Sequence, residues 1–385
     1  MTATFKGFRR ADGRVGVRNT VAILSAMDNT NPSAERIASL VSGTTVLATP
    51  FGRGQIGADF EVTLRTLAGL GAHPNVAGVL VLSLSLASGR EVAERIRATG
   101  KPVVVLGLQE TGSAMALTME GVRLAARMVL AASELEREAI SMSELTVGVE
   151  CGGSDTTSGL ASNPAVGRFS DRLVDAGGTI VLSEPAEFMG AEHILAARAV
   201  NPDDAERIRK MVLWFEEEAA RNGVDMRGTN PTPDNIEGGL TTLEEKSLGA
   251  IAKGGTRPIV EVIDYSANAS ERGLVVMDTP SAACESMTGL AAGGAQIIIF
   301  STGRGNAIGA PIAPTIKVTG NPNTAELMGE NIDVDVSSIL TDGATLDEAG
   351  EQVWQRVSRV ATGALTSCEV LHEEQLSVSR FGPSV

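Results

Sequence analysis

The sequence predicts an α/β protein of two domains, each with a mainly parallel sheet flanked by helices. Short runs of Val, Ile and Leu alternate along the chain with longer segments in which apolar residues return every three or four positions. The short runs have no polar face and end at Gly or Pro, which is typical of strands buried on both sides of a parallel sheet. A chain of 385 residues also exceeds what one core normally supports, so we expect two domains.

The elements of the first half follow this alternation. Strands are predicted at VAILSA, VAGVLVLSLS, PVVVLGL, LTVGV and GTIVLSE, in ranges 21–26, 76–85, 102–108, 145–149 and 178–184. Helices are predicted in the amphipathic segments that start near Asn31, Ser88 and Met119. The third helix runs to Glu138, and a short polar segment separates it from the strand that begins at Leu145. We therefore predict an N-terminal domain over 1–140 and a C-terminal domain over 141–385.

The second half keeps the alternation but interrupts it with loops. The segment from Asn201 to Gly223 carries start and stop signals at its two ends, which predict a helix between them. A further helix is predicted after Thr242, where Thr-Leu-Glu-Glu matches the capping pattern. The loop GRGNAIG has the wrong glycine spacing for a dinucleotide fingerprint, and Pro311 and Pro314 prevent the helix that should follow it. We therefore expect no nucleotide cofactor.

The composition limits the classes of function. The chain carries 47 acidic and 32 basic residues, a net charge of -15, and it has no basic run beside aromatic residues. We therefore expect neither nucleic acid nor an anionic membrane as a partner. The three cysteines lie far apart and form no CxxC pair, which argues against a disulfide framework or a zinc ribbon. No leader-like or membrane-length apolar run occurs in the sequence, so a cytoplasmic protein is expected.

The segment VECGGSDTTSG joins a predicted strand to a predicted helix and is the first candidate ligand site. Cys151 ends the strand, and Gly152 and Gly153 allow the main chain to come close to a ligand carboxylate. Ser154 adds a donor, and Asp155 can take a proton or hold a metal ion. The alternative is a sharp strand-to-helix turn that needs glycine for its geometry and caps the helix with Ser or Asp. Cys151 is either a metal ligand or a small buried thiol.

The segment SEPAEFMGAEHIL follows the next predicted strand and contains several types of metal ligand. Glu184, Glu187, Glu192 and His193 place three carboxylates and an imidazole within ten residues, a set that suits a hard divalent ion. The alternative is a solvated helix start with acids near the positive end of the helix dipole. We predict that Glu192 and His193 take part in metal binding or proton transfer.

Two further segments are predicted to form the opposite wall of the site. In MDTPSAACESMTG a strand ends at Asp278-Thr279, and Glu285 follows in the next helix. In FSTGRGNAIG the side chain of Arg304 lies between glycines, where its guanidinium can bind a carboxylate with two hydrogen bonds. Lys317 ends the next apolar run, and it either neutralises an anionic group of the ligand or is a solvated strand lysine.

Several long blocks of the sequence resemble one family, and together they cover nearly the whole chain. They are GFRRADGRVGVRNT, ECGGSDTTSGLASNPAVG, SEPAEFMGAEHIL, NPTPDNIEGGLTTLEEKSLGAIAKGG and MDTPSAACESMTGLAAGGAQIIIFSTGRGNAIGAPIAPTIKVTGN. These blocks resemble the altronate/galactarate dehydratase family. The resemblance implies the two-part α/β body of that family and a metal-assisted β-elimination from a hydroxy acid, with iron(II), manganese or magnesium as the ion.

From the chemistry of such an elimination, we assign roles to residues of a catalytic C-terminal domain. We expect catalytic roles for Asp155, Glu192, His193 and Arg304, metal binding by Cys151, Asp155, Glu192 and His193, and contact with a small hydroxy-acid substrate by Gly152, Gly153, Ser154, Asp278, Thr279, Glu285, Arg304 and Lys317.

Two N-terminal segments depart from the sugar-acid members of the family. TPFGRGQIG at 49–57 and SLSLASG at 83–89 stand where those members carry cysteine-bearing turns. In this domain the chain resembles the large subunit of (2R)-sulfolactate sulfo-lyase. We expect dehydration of a sugar acid, with release of pyruvate and sulfite from sulfolactate as the alternative and a non-catalytic or partner-dependent binding subunit as a second one. No SAF domain is expected in this chain, so a small SAF-domain subunit is a candidate partner, and we expect a homo-oligomer.

Overall fold

The computed structural model describes residues 3–52, 54–226, 230–380 and 382. The ends of the two predicted domains, at residues 1–2 and 383–385, lie outside the described residues, as does Arg53 of the TPFGRGQIG segment. The described ranges are sufficient to place both sheets and every residue predicted to belong to the site.

Strands and helices alternate through the described ranges. The strands are β1 (Thr4–Arg9), β2 (Val15–Gly16), β3 (Thr20–Ser25), β4 (Thr44–Ala48), β5 (Val76–Ser83), β6 (Val103–Gly107), β7 (Glu138–Ser141), β8 (Thr146–Cys151), β9 (Thr179–Leu182), β10 (Ile259–Ile263), β11 (Leu274–Met277), β12 (Ile297–Ser301), β13 (Thr315–Thr319) and β14 (Val334–Asp335). The helices are α1 (Asn31–Leu40), α2 (Ala58–Ala72), α3 (Leu86–Arg97), α4 (Leu108–Thr111), α5 (Ala114–Ser133), α6 (Asn163–Asp175), α7 (Glu192–Ala196), α8 (Pro202–Arg221), α9 (Pro233–Glu237), α10 (Leu243–Ile251), α11 (Ala283–Ala292), α12 (Pro322–Leu327), α13 (Ser338–Thr341), α14 (Leu346–Thr362) and α15 (Ser367–Leu371).

The N-terminal sheet has four parallel strands in the order β4-β3-β5-β6. Ile23 and Leu80 belong to the core that this sheet forms with α1 and α5, whereas Leu24 and Val81 belong to the core that it forms with α2 and α3. Because successive residues of a strand point to opposite faces, a strand covered on both sides is apolar throughout. This explains the unbroken apolar runs of the sequence.

The C-terminal sheet has seven parallel strands in the order β10-β11-β9-β8-β12-β13-β14. Helices α6, α8 and α14 cover one face, and α11 covers the other. The predicted α/β class with mainly parallel sheets is confirmed. A small antiparallel sheet, β2-β1-β7, was not predicted. Residue 140 lies inside β7, which pairs with β1, and the division of the chain into two domains there stays a prediction.

One apolar core runs through both halves of the molecule. Leu64 and Leu67 of α2 belong to the same buried cluster as Leu290 of α11 and Phe300 of β12. The two helices come so close that a Cβ at Gly69 would lie 2.4 Å from the carbonyl oxygen of Ala292. The N-terminal half therefore packs tightly on the face of the large sheet that α11 covers.

A buried amide ties the two sheets together. Asn75, just before β5, accepts hydrogen bonds from the N–H groups of Val17 and Arg18 at 2.7 and 3.3 Å. Its Nδ2 donates to the carbonyl oxygens of Gln296 and Ile312 at 2.9 and 2.8 Å. Since Gln296 precedes β12 and Ile312 precedes β13, one fully buried side chain joins both halves.

We expect Asn75→Ala to lower the free energy of unfolding by about 2–4 kcal/mol, because four backbone groups lose their partner and several of them stay buried. Urea unfolding followed by circular dichroism measures the change. Asn29→Ala, at an exposed position, is the matched control and should leave the free energy of unfolding within about 0.5 kcal/mol of wild type. Equal unfolding midpoints for both variants would contradict this account of the interface.

Among the helices that the structure describes, none combines the length and the apolar character that crossing a bilayer requires.

Candidate functional site

A cavity of about 490 Å³ opens at the carboxyl edge of the large sheet, where β8 and β9 end. Ligands of open α/β sheets bind at this edge, because the loops that follow parallel strands converge there. The lining residues come from four loops, from the end of β8, from α9 and α10 and from the start of α11, and they are Cys151, Gly152, Gly153, Ser154, Glu184, Ala186, Glu187, Met226, Asn230, Thr232, Asp234, Asn235, Lys246, Ser281, Ala282 and Ala283.

The glycine turn after β8 forms one wall, as the sequence predicts. Gly153 has a φ of 64°, a left-handed conformation that favours glycine. Its carbonyl oxygen accepts hydrogen bonds from the N–H groups of Gly303 and Arg304 at 3.2 and 2.7 Å. Within the described residues, the N–H groups of Gly153 and Ser154 find no protein acceptor. These two N–H groups are therefore free to bind an anionic ligand group.

Behind this wall lies a buried cluster of a thiol, an amine and a carboxylate. Lys253 Nζ lies 2.9 Å from Glu184 Oε2 and donates to Cys151 Sγ at 3.2 Å. The backbone N–H of Cys151 donates to the same Glu184 oxygen at 2.9 Å. Burial raises the pKa of the Cys151 thiol, and Glu184 adds to the rise. Burial by itself lowers the pKa of Lys253, but Cys151, Glu184 and Glu150 outweigh burial and raise it overall. At neutral pH the Cys151 sulfur is therefore a thiol, and Lys253 is an ammonium.

Glu184 adopts a backbone conformation that is rare for a residue with a side chain. Its φ and ψ are 67° and 61°, in the left-handed region. Its N–H donates to Thr279 Oγ1 at 2.8 Å, and its side chain is bound by Cys151 and Lys253. Such conformations cost of order 1–3 kcal/mol and cluster at functional sites. The surrounding bonds hold the carboxylate at the cavity despite this cost.

Glu150 lies one layer deeper and is fully buried. Its Oε2 accepts hydrogen bonds from Ser183 and Ser286 at 2.8 and 2.6 Å, while its Oε1 has no partner among the described residues. Burial raises the pKa of Glu150 well above the usual 4.5, and the nearby Glu184 carboxylate adds to the rise. Glu150 therefore keeps its proton to a higher pH than a solvated carboxyl group does.

We expect this buried acid to make stability depend on pH. Because the folded-state pKa of Glu150 is raised above the unfolded value, its contribution is fully present below the unfolded pKa of 4.5 and is lost as pH rises towards the folded pKa. Glu150→Gln keeps a neutral side chain of the same shape, so its free energy of unfolding should fall less than that of wild type between about pH 5 and pH 8. Urea unfolding at a series of pH values measures both curves, and parallel curves would contradict a neutral Glu150.

A second ion pair lies directly on the cavity wall. Lys246 Nζ, on α10, lies 3.0 Å from Glu187 Oε1 and donates to Asn230 Oδ1 at 2.7 Å. Glu187 Oε2 is buried and has no hydrogen-bond partner in the described ranges. Burial raises the pKa of Glu187; Lys246 opposes the rise, and Glu184 adds to it. A carboxyl group with a raised pKa and an unused oxygen at a cavity has the properties of a general base.

Asp155 lies below the glycine turn and stabilises the loop. Its Oδ1 accepts hydrogen bonds from Thr157 Oγ1 and from the N–H of Ser158, at 2.6 and 3.0 Å, and its Oδ2 accepts one from Asn321 Nδ2 at 2.8 Å. This agrees with the alternative of a capped strand-to-helix turn. The structure places Arg304 beside the same turn but outside the cavity lining, where its guanidinium pairs with Glu237 at 2.9 Å.

Other predicted residues lie elsewhere. Glu192 lines a separate cavity between α7 and α8, and His193 is exposed on α7. Asp278, Thr279 and Glu285 line a third cavity of about 520 Å³, although the Thr279 hydroxyl also holds the Glu184 backbone. Burial, with a contribution from Asp264, raises the pKa of Asp278 to about 6.

Lys317 is fully buried in β13 with its ammonium over the ring of Phe300, 3.5 Å from the ring centre. It neither lines the cavity nor meets solvent, because the strand that carries it is covered on both faces. The sequence left two alternatives for Lys317, a ligand contact and a solvated lysine. The structure places the residue neither at the cavity nor in solvent.

The four predicted metal ligands do not meet. The Cys151 sulfur faces Lys253, both Asp155 oxygens are bound within the loop, and Glu192 and His193 point elsewhere. In the part of the chain that the structure describes, no three His, Cys, Asp or Glu side chains are grouped so that they could hold a metal ion. These four residues as placed do not fit a single divalent ion, and the metal requirement stays a prediction.

Sequence reasoning missed both lysines of the site. Lys246 and Lys253 are seven residues apart in LEEKSLGAIAKGG, a spacing that puts both on one face of a helix. Lys253 also lies in the otherwise uncharged stretch SLGAIAKGG. A lysine in such a segment is the signal that could have indicated a buried, paired ammonium.

Comparison with known proteins fits this architecture. The family described as D-galactarate/Altronate dehydratase, C-terminal, matches residues 142–384, and that described as D-galactarate dehydratase/Altronate hydrolase, second domain, matches residues 7–133. The chain belongs to the altronate/galactarate dehydratase family. The resemblance in the sequence is thus confirmed.

Three relatives show the range of reactions within this family. The chain is 43% identical to "(2R)-sulfolactate sulfo-lyase subunit beta" of Chromohalobacter salexigens, over 98% of this chain and 97% of that one. It is 34% identical to "Altronate dehydratase" of Bacillus subtilis, over 98% and 78% of the two chains. It is 30% identical to "Galactarate dehydratase (L-threo-forming)" of Escherichia coli, over 94% and 73%. The predicted class of enzyme, a lyase that breaks a carbon–oxygen or a carbon–sulfur bond, is confirmed.

Proposed function

We propose that the chain is the large subunit of a lyase that releases sulfite from a small 2-hydroxy-3-sulfo acid such as (2R)-sulfolactate. The observation that carries the proposal is the likeness to the sulfo-lyase subunit, which has the higher identity and matches over nearly its whole length. The two dehydratases share less identity and extend beyond the matched region. This reverses the order of the two substrates expected from the sequence.

Substrate binding uses the positive groups of the cavity wall. The carboxylate lies between the free N–H groups of Gly153 and Ser154 and the ammonium of Lys246. Backbone N–H groups and an ammonium stabilise a carboxylate better as it gains enolate character, so they favour the transition state over the ground state. The cavity is large enough for hydroxy acids of three to six carbons, so its volume does not separate the two substrate classes.

Elimination then needs one base and one leaving group. The Glu187 carboxylate takes the proton from the carbon next to the substrate carboxylate, and Lys246 holds Glu187 in place. The electron pair of that C–H bond forms a carbon–carbon double bond, and the electron pair of the C–S bond leaves with sulfite. The enol product takes up a proton at its terminal carbon, loses the proton of its hydroxyl group and becomes pyruvate. Sulfite leaves as a stable anion, so this reaction does not require the general acid that the loss of hydroxide requires.

The test is an anaerobic assay of the chain, alone and with a co-expressed small SAF-domain subunit. Substrates are (2R)-sulfolactate, altronate and galactarate, each with and without added iron(II), manganese or magnesium, and both sulfite and 2-oxo acid are measured. Equal amounts of pyruvate and sulfite from sulfolactate support the proposal. An oxo acid formed from a sugar acid, without sulfite, would establish a dehydratase instead.

The second candidate is dehydration of a sugar acid, favoured by the likeness to the altronate and galactarate dehydratases. The partner requirement is a separate proposal, and it is supported by the word subunit in the name of the sulfo-lyase relative. Activity only after addition of the small subunit would support that requirement. No product from any of the three substrates with the small subunit and metal would instead support a non-catalytic binding subunit.

A further inference from the structure

Lys317 occupies a place that is costly for a lysine. Its side chain is fully buried on β13, next to the edge strand of the large sheet, and no carboxylate forms an ion pair with its ammonium among the described residues. Burial lowers the pKa of Lys317 to about 8, which is the mark of an ammonium held against its desolvation penalty. An apolar side chain would fill the same space without that cost, so packing does not explain the charge.

Among the described residues, the ammonium contacts a ring on strand β12 and a carbonyl group in the loop that follows this strand. It lies 3.5 Å from the centre of the Phe300 ring, in the geometry of a cation–π contact. It also donates a hydrogen bond to the carbonyl oxygen of Ile308. Ile308 belongs to the loop after β12, and the same loop carries Arg304, whose N–H donates to the Gly153 carbonyl oxygen at 2.7 Å.

The Phe300 ring in turn supports the glycine turn from below. A Cβ at Gly152 would lie 2.7 Å from Cζ of the ring, so ring and main chain are in direct contact. Phe300 pairs in register with Glu150 on β8 and with Lys317 on β13, which places the ring between the two strands. The Lys317 ammonium, the Phe300 ring and the glycine turn therefore form a continuous stack. The hydrogen bond to Ile308 holds the neighbouring loop against the same turn.

We propose that Lys317 is a positioning residue for substrate binding: through Phe300 and the Ile308 carbonyl it holds the turn at Gly152–Ser154 in the conformation that presents its free N–H groups to the substrate carboxylate. The inference rests on the proposed function for the identity of the ligand, but the support of the turn by Lys317 does not depend on which hydroxy acid binds. Lys317 touches no substrate atom.

The test uses Lys317→Met, which keeps an unbranched side chain one atom shorter and removes the charge. We expect KM for sulfolactate to rise about tenfold, equivalent to about 1.4 kcal/mol, because the displaced turn binds the carboxylate less well, and we expect kcat to fall as well, because the same N–H groups stabilise the enolate character of the transition state. Amide hydrogen exchange of the peptide that contains residues 152–154, measured without substrate, should become faster. Lys210→Met, at a lysine with 71% side-chain exposure, is the matched control and should change neither value.

An unchanged KM together with unchanged amide exchange in Lys317→Met overturns the proposal, whatever happens to stability. If wild type turns over no sulfolactate but the exchange effect is present, the proposed substrate fails and the positioning role stands. If Lys317→Met does not fold, Phe300→Leu removes the ring from the same stack. That variant should give the same rise in KM and the same faster exchange, and wild-type values for it would overturn the proposal.

Discussion

Glu187→Gln is expected to lower kcat about a hundredfold to ten-thousandfold while the protein stays folded. The amide keeps the shape of the side chain, and its oxygen can still accept the hydrogen bond from Lys246, but it cannot take a proton from the substrate. Because the change also takes the anion from the Lys246 ammonium, which is 10% exposed, we expect a lower free energy of unfolding without loss of the fold. Steady-state kinetics of sulfite release, with unfolding by urea as the check on stability, measure the effect.

The matched control for this variant is Glu326→Gln, an exposed acid on α12. We expect wild-type kcat for the control, because the charge that it removes is solvated and lies outside the cavity lining. If Glu187→Gln keeps more than a tenth of wild-type kcat, then Glu187 is not the base, and Glu184, the other cavity carboxylate, becomes the next residue to test.

The same carboxylate predicts the pH dependence of the reaction. A base acts in its ionised form, so kcat/KM rises as pH increases through the pKa of Glu187. Burial raises that pKa above the usual 4.5, so the rise should be centred at a pH higher than 4.5. The slow residual activity of Glu187→Gln should lack this rise. If kcat/KM of the wild type is constant from about pH 5 to pH 8, then Glu187 is not the base that takes the proton.

Lys253→Met is expected to lower the free energy of unfolding by about 3–5 kcal/mol, because it leaves the buried Glu184 carboxylate without its cation. Both side chains are almost completely shielded from solvent, with exposed fractions of 0% and 2%. The variant should also lose activity, since Lys253 holds Glu184 and Cys151 at the cavity. Urea unfolding and the sulfite assay measure the two effects.

A double variant separates the charge from the packing. In Lys253→Met with Glu184→Gln no unpaired charge remains, so we expect part of the lost stability to return, by about 1–3 kcal/mol. The exposed Lys210→Met variant is the control for the loss of a lysine. If the change in the free energy of unfolding in the double variant equals the sum of the two single changes, then the two charges are not coupled. The stability lost in Lys253→Met then comes from packing alone.

The structure brings some of the segments that were grouped from the sequence to one cavity and carries others away from it. The glycine turn at Gly152 and Gly153 and the acids after β9 were both expected at strand ends, and the structure brings them to one cavity. Glu192 and His193 were expected there as well, but the backbone turns after Pro185–Phe188 and carries them to another face. We grouped Glu192 and His193 with the other acids because they are close in sequence. The turn of the main chain separates them in space.

Alternating apolar runs and amphipathic segments determined that this protein folds as parallel sheets covered by helices, because these patterns act within a few residues of the chain. Its ordered motifs likewise determined the family. Only the tertiary structure decided which charges meet. Glu150, Glu184 and Lys253 are separated by 34 and 69 residues, and they come together because β8 and β9 lie side by side and α10 ends behind them. The pairing of such distant charges, and the burial that raises the pKa of Glu150, depend on where whole strands are placed, which no local pattern specifies.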